Sequence, residues 1–402
     1  MFYLLNIGVS GIKGIKNEVQ LDFYKKTVDK NFNPEKYRIK AIYGENGSGK
    51  SALITAVKIF KDLCLQESYL LETKNQDFLR EMINKSTKEF IFHCEFLEDL
   101  KAAKEIYYYE VVLGLNNRGN FEIQHEMLKV RKGNYANSPY KTIFEISGGS
   151  LALLDANEQE RKLAEKKSLN LLKTRSLVHI ATMMCTESGN SKVFGEASAY
   201  ILAFSIFPKC LIVITQNEQY GISEKTVDKE HFEEYQKRIY QLTQFLKIFK
   251  PTLVSIDVDK KESRDAYKCD LRLNYDDYFI DIEYESSGIK KLIRLFEGFT
   301  MDNTQGIVFI DEIDSNLNEV YLCRLLQYFK YYGKGQLCFT AHNVNLMSML
   351  RDNKNSIEFL SGDNKIISWT ARGNATPENY YRNGMIENVP FNVDATDFIV
   401  VF

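Results

Sequence analysis

Residues 38–65 have the sequence RIKAIYGENGSGKSALITAVKIFKDLCL, which combines three signals in order. A short β-forming run (38–43) comes first, and a glycine-rich loop follows it. The last part is a segment whose apolar residues recur at helical spacing. These apolar positions are Leu53, Ile54, Val57, Phe60 and Leu65. The order strand, glycine loop, helix predicts one unit of an α/β fold.

Within this stretch, residues 44–51 (GENGSGKS) match the phosphate-binding pattern G-x-x-x-x-G-K-[ST]. Glycines allow consecutive backbone N–H groups to point toward phosphate oxygens, and the helix N-terminus adds partial positive charge. In this pattern Lys50 reaches the β and γ phosphates, and the Ser51 hydroxyl binds Mg²⁺. The predicted nucleotide-binding residues are Gly44, Asn46, Gly47, Ser48, Gly49, Lys50, Ser51 and Ala52.

A second candidate site element is the hydrophobic run GIVFIDE at residues 306–312, which ends in two acids. Paired carboxylates at a strand tip are costly unless a cation or a proton-transfer role compensates them. We therefore predict that Asp311 binds Mg²⁺, together with Ser51, and that Glu312 is the base that orients the attacking water.

Composition and charge limit the function classes. A length of 402 residues favours two to three domains, at about 150 residues each, or one large head with an insertion. Lys and Arg total 52 against 54 Asp and Glu, and a net charge of -2 argues against a protein that mainly coats nucleic acid. The 7 cysteines form no C-x-x-C pair and the 5 histidines no metal-ligand spacing, which predicts reduced thiols and no zinc module.

Localisation is predicted from two segments. The N-terminus lacks the charge and cleavage pattern of a signal peptide. The longest apolar stretch, 200–215, is broken by Pro208 and Lys209 and is shorter than the roughly 20 residues of a membrane span. We therefore expect a cytoplasmic protein that has no contact with a membrane.

Two further motifs follow in order: ESSGIKKL at residues 285–292 and FTAHN at residues 339–343. The first resembles the signature E-S-x-G-x-K-x-L, and the second resembles a switch-histidine loop. With these motifs the chain resembles ABC-type ATPases of the SMC, RecF and OLD branch, most of all the OLD-like stand-alone ATPases of bacterial abortive-infection and antiphage systems. The resemblance covers roughly residues 1–65 and 265–345.

The resemblance implies a fold class and a division of the chain. The fold would be an α/β P-loop NTPase of the ABC or SMC-head type, with an antiparallel β subdomain and a helical insertion. Residues 1–150 would form the N-terminal part of the head, with the phosphate loop and the antiparallel sheet. Residues 151–255 would be a mainly helical insertion, because the residue pattern from about 151 to 207 becomes helical and charged. Residues 256–402 would complete the head with the signature, Asp311, Glu312 and the switch histidine.

The resemblance also implies residue roles and cofactors. Ser286 and Gly288 would contact the γ-phosphate of ATP held by a second subunit, and His342 would lie within reach of the γ-phosphate. Lys50, Glu312 and His342 would then be the catalytic residues, with ATP and Mg²⁺ as cofactors. A homodimer or a higher homo-oligomer would be required, with a dimer-contacting D-loop at residues 314–318.

Alternatives remain at several positions. Ser286 could simply cap a helix, and His342 could be an ordinary histidine at a strand end. Gln76 and Gln124 are the candidates for a metal-sensing glutamine, against an ordinary surface role. Ile289 stands where the signature commonly has a polar residue, and Asn318-Glu319 replaces a frequent His-Pro.

Three functions stay open. The first is an ATPase that senses phage infection and regulates a separate effector, a nuclease or another toxin, since the 60 residues after His342 are too few for a Toprim nuclease domain. The second is a RecF-like or SMC-like DNA-maintenance ATPase that clamps DNA. Its candidate DNA contact is the basic run 129–132 (KVRK), with Lys141 nearby. The near-neutral net charge and the absence of a long coiled coil count against this function. The third is a nucleotide-binding scaffold without hydrolysis.

Overall fold

The computed structural model describes residues 2–25, 28, 32–100, 103–133, 138–187, 191–215, 225–302, 306–352, 355–370 and 375–386. The strands of these ranges are β1 (Phe2–Ser10), β2 (Val19–Asp22), β3 (Ile39–Gly44), β4 (Glu89–Leu100), β5 (Ala103–Leu115), β6 (Phe121–Lys132), β7 (Lys141–Ser147), β8 (Ser150–Leu154), β9 (Leu211–Ile214), β10 (Lys225–Asp228), β11 (Leu253–Glu262), β12 (Ala266–Tyr275), β13 (Phe279–Asp281), β14 (Ile307–Ile310), β15 (Gln336–Thr340), β16 (Ile357–Leu360) and β17 (Ile366–Ser368). The α-helices are α1 (Lys50–Leu65), α2 (Thr73–Met82), α3 (Glu158–Ser168), α4 (Leu177–Glu187), α5 (Ala197–Cys210), α6 (Phe232–Phe249), α7 (Ser287–Asp302), α8 (Glu319–Tyr332), α9 (Met347–Leu350) and α10 (Pro377–Arg382).

A six-stranded sheet in the order β17-β16-β3-β15-β14-β9 forms the centre of the molecule. Its strands are parallel except β17, which pairs antiparallel with β16. The four strands β3, β14, β15 and β16 are buried along their whole length. Helices cover both faces of such a sheet, which explains the near-continuous apolar sequences of these strands. β15 lies between β3 and β14, so the carboxyl ends of these three strands meet at one edge.

The two faces of this sheet belong to different hydrophobic cores. Ile42 and Phe309 pack in one core with α1, α4, α5 and the antiparallel sheet β2-β1-β4-β5-β6-β7-β8. Ala41 and Val308 face the other core, which α6, α7, α8 and the small sheet β10-β12-β11 complete. Aromatic rings fill the first core, where Phe96 and Phe207 stack at a centroid distance of 4.0 Å.

The structure confirms the prediction of a mixed α/β chain with an antiparallel sheet and helices. Residues 151–255, which the sequence predicts to be a mainly helical insertion, supply α3 to α6 and also β9, an edge strand of the parallel sheet. The three-part division of the chain stays a prediction. In the described part of the chain no helix combines the length and the apolar character that crossing a bilayer requires.

Candidate nucleotide-binding site

The glycine loop connects the end of β3 to the first residue of α1. Gly47 and Gly49 have φ angles of 86° and 107°, which side-chain-bearing residues rarely adopt. A Cβ atom at Gly49 would lie 2.8 Å from Cγ1 of Ile15. Glycine is therefore required at position 49 by both backbone conformation and packing.

Lys50 is the first residue of α1 and folds back over this loop. Its Nζ donates hydrogen bonds to the carbonyl oxygens of Gly44 and Glu45, each at 2.8 Å. Burial lowers the pKa of the Lys50 ammonium, and the carboxylates of Glu312, Asp311 and Asp314 oppose that shift. Ser51, the next residue, bonds to Asp311, so the predicted phosphate-binding lysine lies near the predicted acidic residues.

The hydroxyl of Ser48 is a second polar group of the loop. Ser48 Oγ is buried, and no other group within the described ranges forms a hydrogen bond with it. Buried hydroxyl groups almost always have a partner. This oxygen is therefore a candidate contact for a bound phosphate.

Asp311 joins three elements at the edge of the sheet. Its Oδ1 accepts hydrogen bonds from Ser51 Oγ of α1 at 3.0 Å and from Thr340 Oγ1 of β15 at 2.7 Å. Carboxylate and hydroxyl oxygens are ligands that suit Mg²⁺, which proteins bind through one or two carboxylates together with substrate phosphates. Asp311 and Ser51 therefore have the chemistry that the predicted Mg²⁺ site needs.

Glu312 and His342 lie side by side at the same edge. His342 Nε2 is 3.6 Å from Glu312 Oε1, and both side chains are partly exposed. Glu312 has a φ angle of 45°, a left-handed conformation that is uncommon for a residue with a side chain. The backbone N–H of Glu312 donates to Thr340 Oγ1 at 2.7 Å. Such backbone strain clusters at functional sites.

Thr340 and Asp314 contribute to the site; they lie in the predicted switch-histidine motif and D-loop, but the sequence did not identify their individual contacts. Asp314 Oδ2 accepts hydrogen bonds from the backbone N–H groups of His342, at 2.8 Å, and Asn343, at 2.5 Å. The sequence signal for Thr340 was its position, since it is the polar residue that ends the apolar run of β15. Asp314 lay inside the predicted D-loop, without a partner that the sequence could identify.

The signature motif forms the start of α7. Ser286 is exposed, and its Oγ accepts a hydrogen bond from the N–H of Ile289 at 3.4 Å. It therefore caps the helix and also faces solvent. A Cβ atom at Gly288 would lie 2.9 Å from the carbonyl oxygen of Asn316, so the start of α7 packs closely against residues 314–318.

Lys291, one turn further along α7, reaches the acidic turn. Its Nζ donates to the carbonyl oxygens of Asp311, at 3.3 Å, and Glu312, at 2.9 Å, and to Ser315 Oγ at 3.4 Å. Burial lowers the pKa of Lys291 to about 8. In the signature pattern the lysine position falls on Lys290, so no sequence signal pointed to Lys291.

The two candidate glutamines and the basic run contact other parts of the molecule. The Gln76 side chain is buried and bonds to the backbone of Leu70 and Phe121, which is a structural role. Gln124 donates to Glu122. In the basic run, Lys129 and Arg131 lie over the rings of Tyr108 and Tyr140, and Lys141 pairs with Asp155.

Comparisons with known proteins give little further information. No protein-family model matches the sequence, and no curated protein sequence matches it significantly. Among solved structures, the chain is similar to the Smc head domain of Pyrococcus furiosus, determined with an extended coiled coil and bound to the C-terminal domain of ScpA. The identity is 13%, the alignment covers 92% of this chain and 97% of that chain, and the TM-score is 0.45. A likeness at this level carries no weight for function, which we infer from the contacts described above.

Proposed function

We propose that this chain is an ABC-type ATPase head that binds ATP with Mg²⁺ and hydrolyses it within a dimer. One observation carries the proposal: Lys50, Asp311, Glu312 and His342, which the sequence separates by up to 292 positions, converge at one edge of the parallel sheet, where Ser51, next to Lys50, bonds to Asp311 and Glu312 lies beside His342. Ligand sites of open α/β sheets lie at the carboxyl ends of the strands, where these residues are found.

Each residue has a chemical task in this scheme. The N–H groups of the glycine loop and the Lys50 ammonium bind the phosphates. Glu312 orients the attacking water and accepts its proton, and His342, 3.6 Å away, is placed to contact the γ-phosphate. Mg²⁺ bound by Ser51 and Asp311 would neutralise charge on the β and γ phosphates.

The position of the signature helix supports the proposed dimer. The start of α7 offers an exposed serine, and a helix N-terminus favours a bound anion. We propose that Ser286 and Gly288 of one subunit complete the ATP site of the other. Hydrolysis would then open the dimer and convert nucleotide state into a conformational signal.

ATP turnover with Mg²⁺ tests the catalytic part of this proposal. Lys50→Ala should abolish ATP binding. Glu312→Gln should retain binding, lose hydrolysis and accumulate an ATP-held dimer, measured by light scattering with and without ATP. A wild-type protein that binds ATP without turnover would instead support the non-hydrolysing scaffold.

We further propose that the head is a cytoplasmic sensor that regulates a separate effector, a nuclease or another toxin, in antiphage defence. The support is the resemblance of its four motifs to those of OLD-like defence ATPases. Purification of the tagged chain together with the products of neighbouring genes should recover the effector. Toxicity or nucleic-acid cleavage by this chain alone would contradict the proposal.

A further inference from the structure

Lys291 connects two parts of the molecule that serve different ATP sites in the proposed dimer. It lies on α7, whose N-terminus would contact the ATP bound by the partner. Its ammonium, however, donates to the turn that carries the Glu312 of its own subunit. Only 6% of Lys291 is exposed, so the charge is held inside the protein by these contacts.

The turn around Glu312 depends on such donors. The Glu312 carbonyl oxygen accepts from Lys291 Nζ, and from Ser315 through both its backbone N–H, at 3.0 Å, and its Oγ, at 2.9 Å. These bonds hold Glu312 in a left-handed backbone conformation, which is costly for a residue that has a side chain. The direction of the Glu312 carboxylate therefore depends on where α7 places the lysine.

A second contact joins the same two segments. The Asn316 carbonyl oxygen would lie only 2.9 Å from a Cβ atom at Gly288, so the first turn of α7 packs directly on residues 314–318. A shift of α7 cannot leave this turn in place, because both the buried ammonium and the backbone contact would move. Packed elements of this kind transmit small displacements.

We propose that Lys291 is a positioning residue that links the docking of α7 on the partner's ATP to the geometry of Glu312 in its own subunit. This inference rests on the proposed ATPase function. It predicts that Lys291 affects the hydrolysis step, while ATP binding depends on the glycine loop and dimer formation depends on Ser286. Hydrolysis would thereby occur only when both ATP sites are assembled.

The test compares Lys291→Met with Lys237→Met, which removes an exposed lysine from the neighbouring helix α6. For Lys291→Met we expect kcat to fall at least about tenfold, because small misplacements of catalytic groups are costly, while the Kd for ATP changes less than about twofold. In the Glu312→Gln background, Lys291→Met should still form the ATP-held dimer. Lys237→Met should resemble the wild type.

Ser315→Ala provides a milder variant in case the buried change disturbs folding, which thermal unfolding would reveal. Ser315→Ala should also lower kcat at constant ATP affinity. When Lys291→Met and Ser315→Ala are combined, kcat should fall by less than the product of the two single effects, because both side chains act on the Glu312 carbonyl. Folded variants with a kcat within twofold of wild type would overturn the inference. The inference would also be overturned if these variants lowered kcat and at the same time lost ATP binding or the ATP-held dimer. Absence of turnover in the wild type would instead refute the proposed function, and this inference with it.

Discussion

The Thr340 side chain bonds to two candidate site residues, the proposed Mg²⁺ ligand Asp311 and the proposed base Glu312. Its Oγ1 donates to Asp311 Oδ1 and accepts from the Glu312 N–H, each at 2.7 Å. Thr340→Val keeps the shape and removes both bonds, which leaves the partly buried N–H of Glu312 without this partner. We expect kcat for ATP hydrolysis to fall by about 10- to 100-fold, because the catalytic groups lose their orientation. Thr340→Ser retains the hydroxyl and should keep most activity; equal losses in both variants would show that the hydroxyl is not responsible.

Among single residues, the sequence identifies those whose role depends on neighbouring positions of the chain. Lys50 and Ser51 were predictable because the loop and the helix that follow each other in the chain build their environment. Thr340 and Lys291 were not, because their partner Asp311 lies 29 and 20 positions away. The strand order, which places β15 beside β14, brings Thr340 to Asp311, and the packing of α7 brings Lys291 there.

Among the elements, β3 and β16 are joined by a buried ion pair. Lys40 Nζ lies 2.7 Å from Glu358 Oε1, and both side chains are fully buried. Burial lowers the pKa of Lys40, and the Glu358 carboxylate opposes that shift. Glu358→Gln leaves the buried Lys40 ammonium without its carboxylate, and Lys40→Met leaves Glu358 with the more exposed Lys25, 3.8 Å away. Each change should reduce the free energy of unfolding by about 3–5 kcal/mol. The double variant should lose less than either, measured by denaturant unfolding; additive losses would rule out this account.

The packing of α5 on the antiparallel sheet gives a second prediction. Phe207 is buried and stacks on Phe96 at a centroid distance of 4.0 Å. Phe207→Ala leaves a cavity and should cost about 3–5 kcal/mol of unfolding free energy. The neighbouring Ile206 is 47% exposed, so Ile206→Ala should cost less than about 1 kcal/mol. Similar losses for both would contradict the core position of Phe207.

Elements were predictable where burial leaves a clear pattern. The sequence predicts a buried strand in the apolar run that ends at Asp311, and β14 (Ile307–Ile310) lies there with every residue buried. β11 was not predicted, since only Leu253 and Ile256 of this strand are buried and its second half is charged. It is a strand because it pairs with β12 along its length. Such pairing between distant segments has no local signal in a single sequence.

For the whole molecule, the central question is whether two heads share ATP through Ser286. We expect Ser286→Arg, tested in the Glu312→Gln background, to prevent the ATP-held dimer. The larger side chain would fill the space in which the γ-phosphate bound by the partner, and the partner surface around it, would contact α7. Binding of ATP to single subunits should be retained, since the glycine loop is unchanged. The matched control is Thr226→Arg, which adds the same charge at an exposed position of β10. Light scattering with and without ATP distinguishes the two variants. If the dimer persists in Ser286→Arg, the shared site lies elsewhere. If both variants lose the dimer, the added charge alone explains the effect.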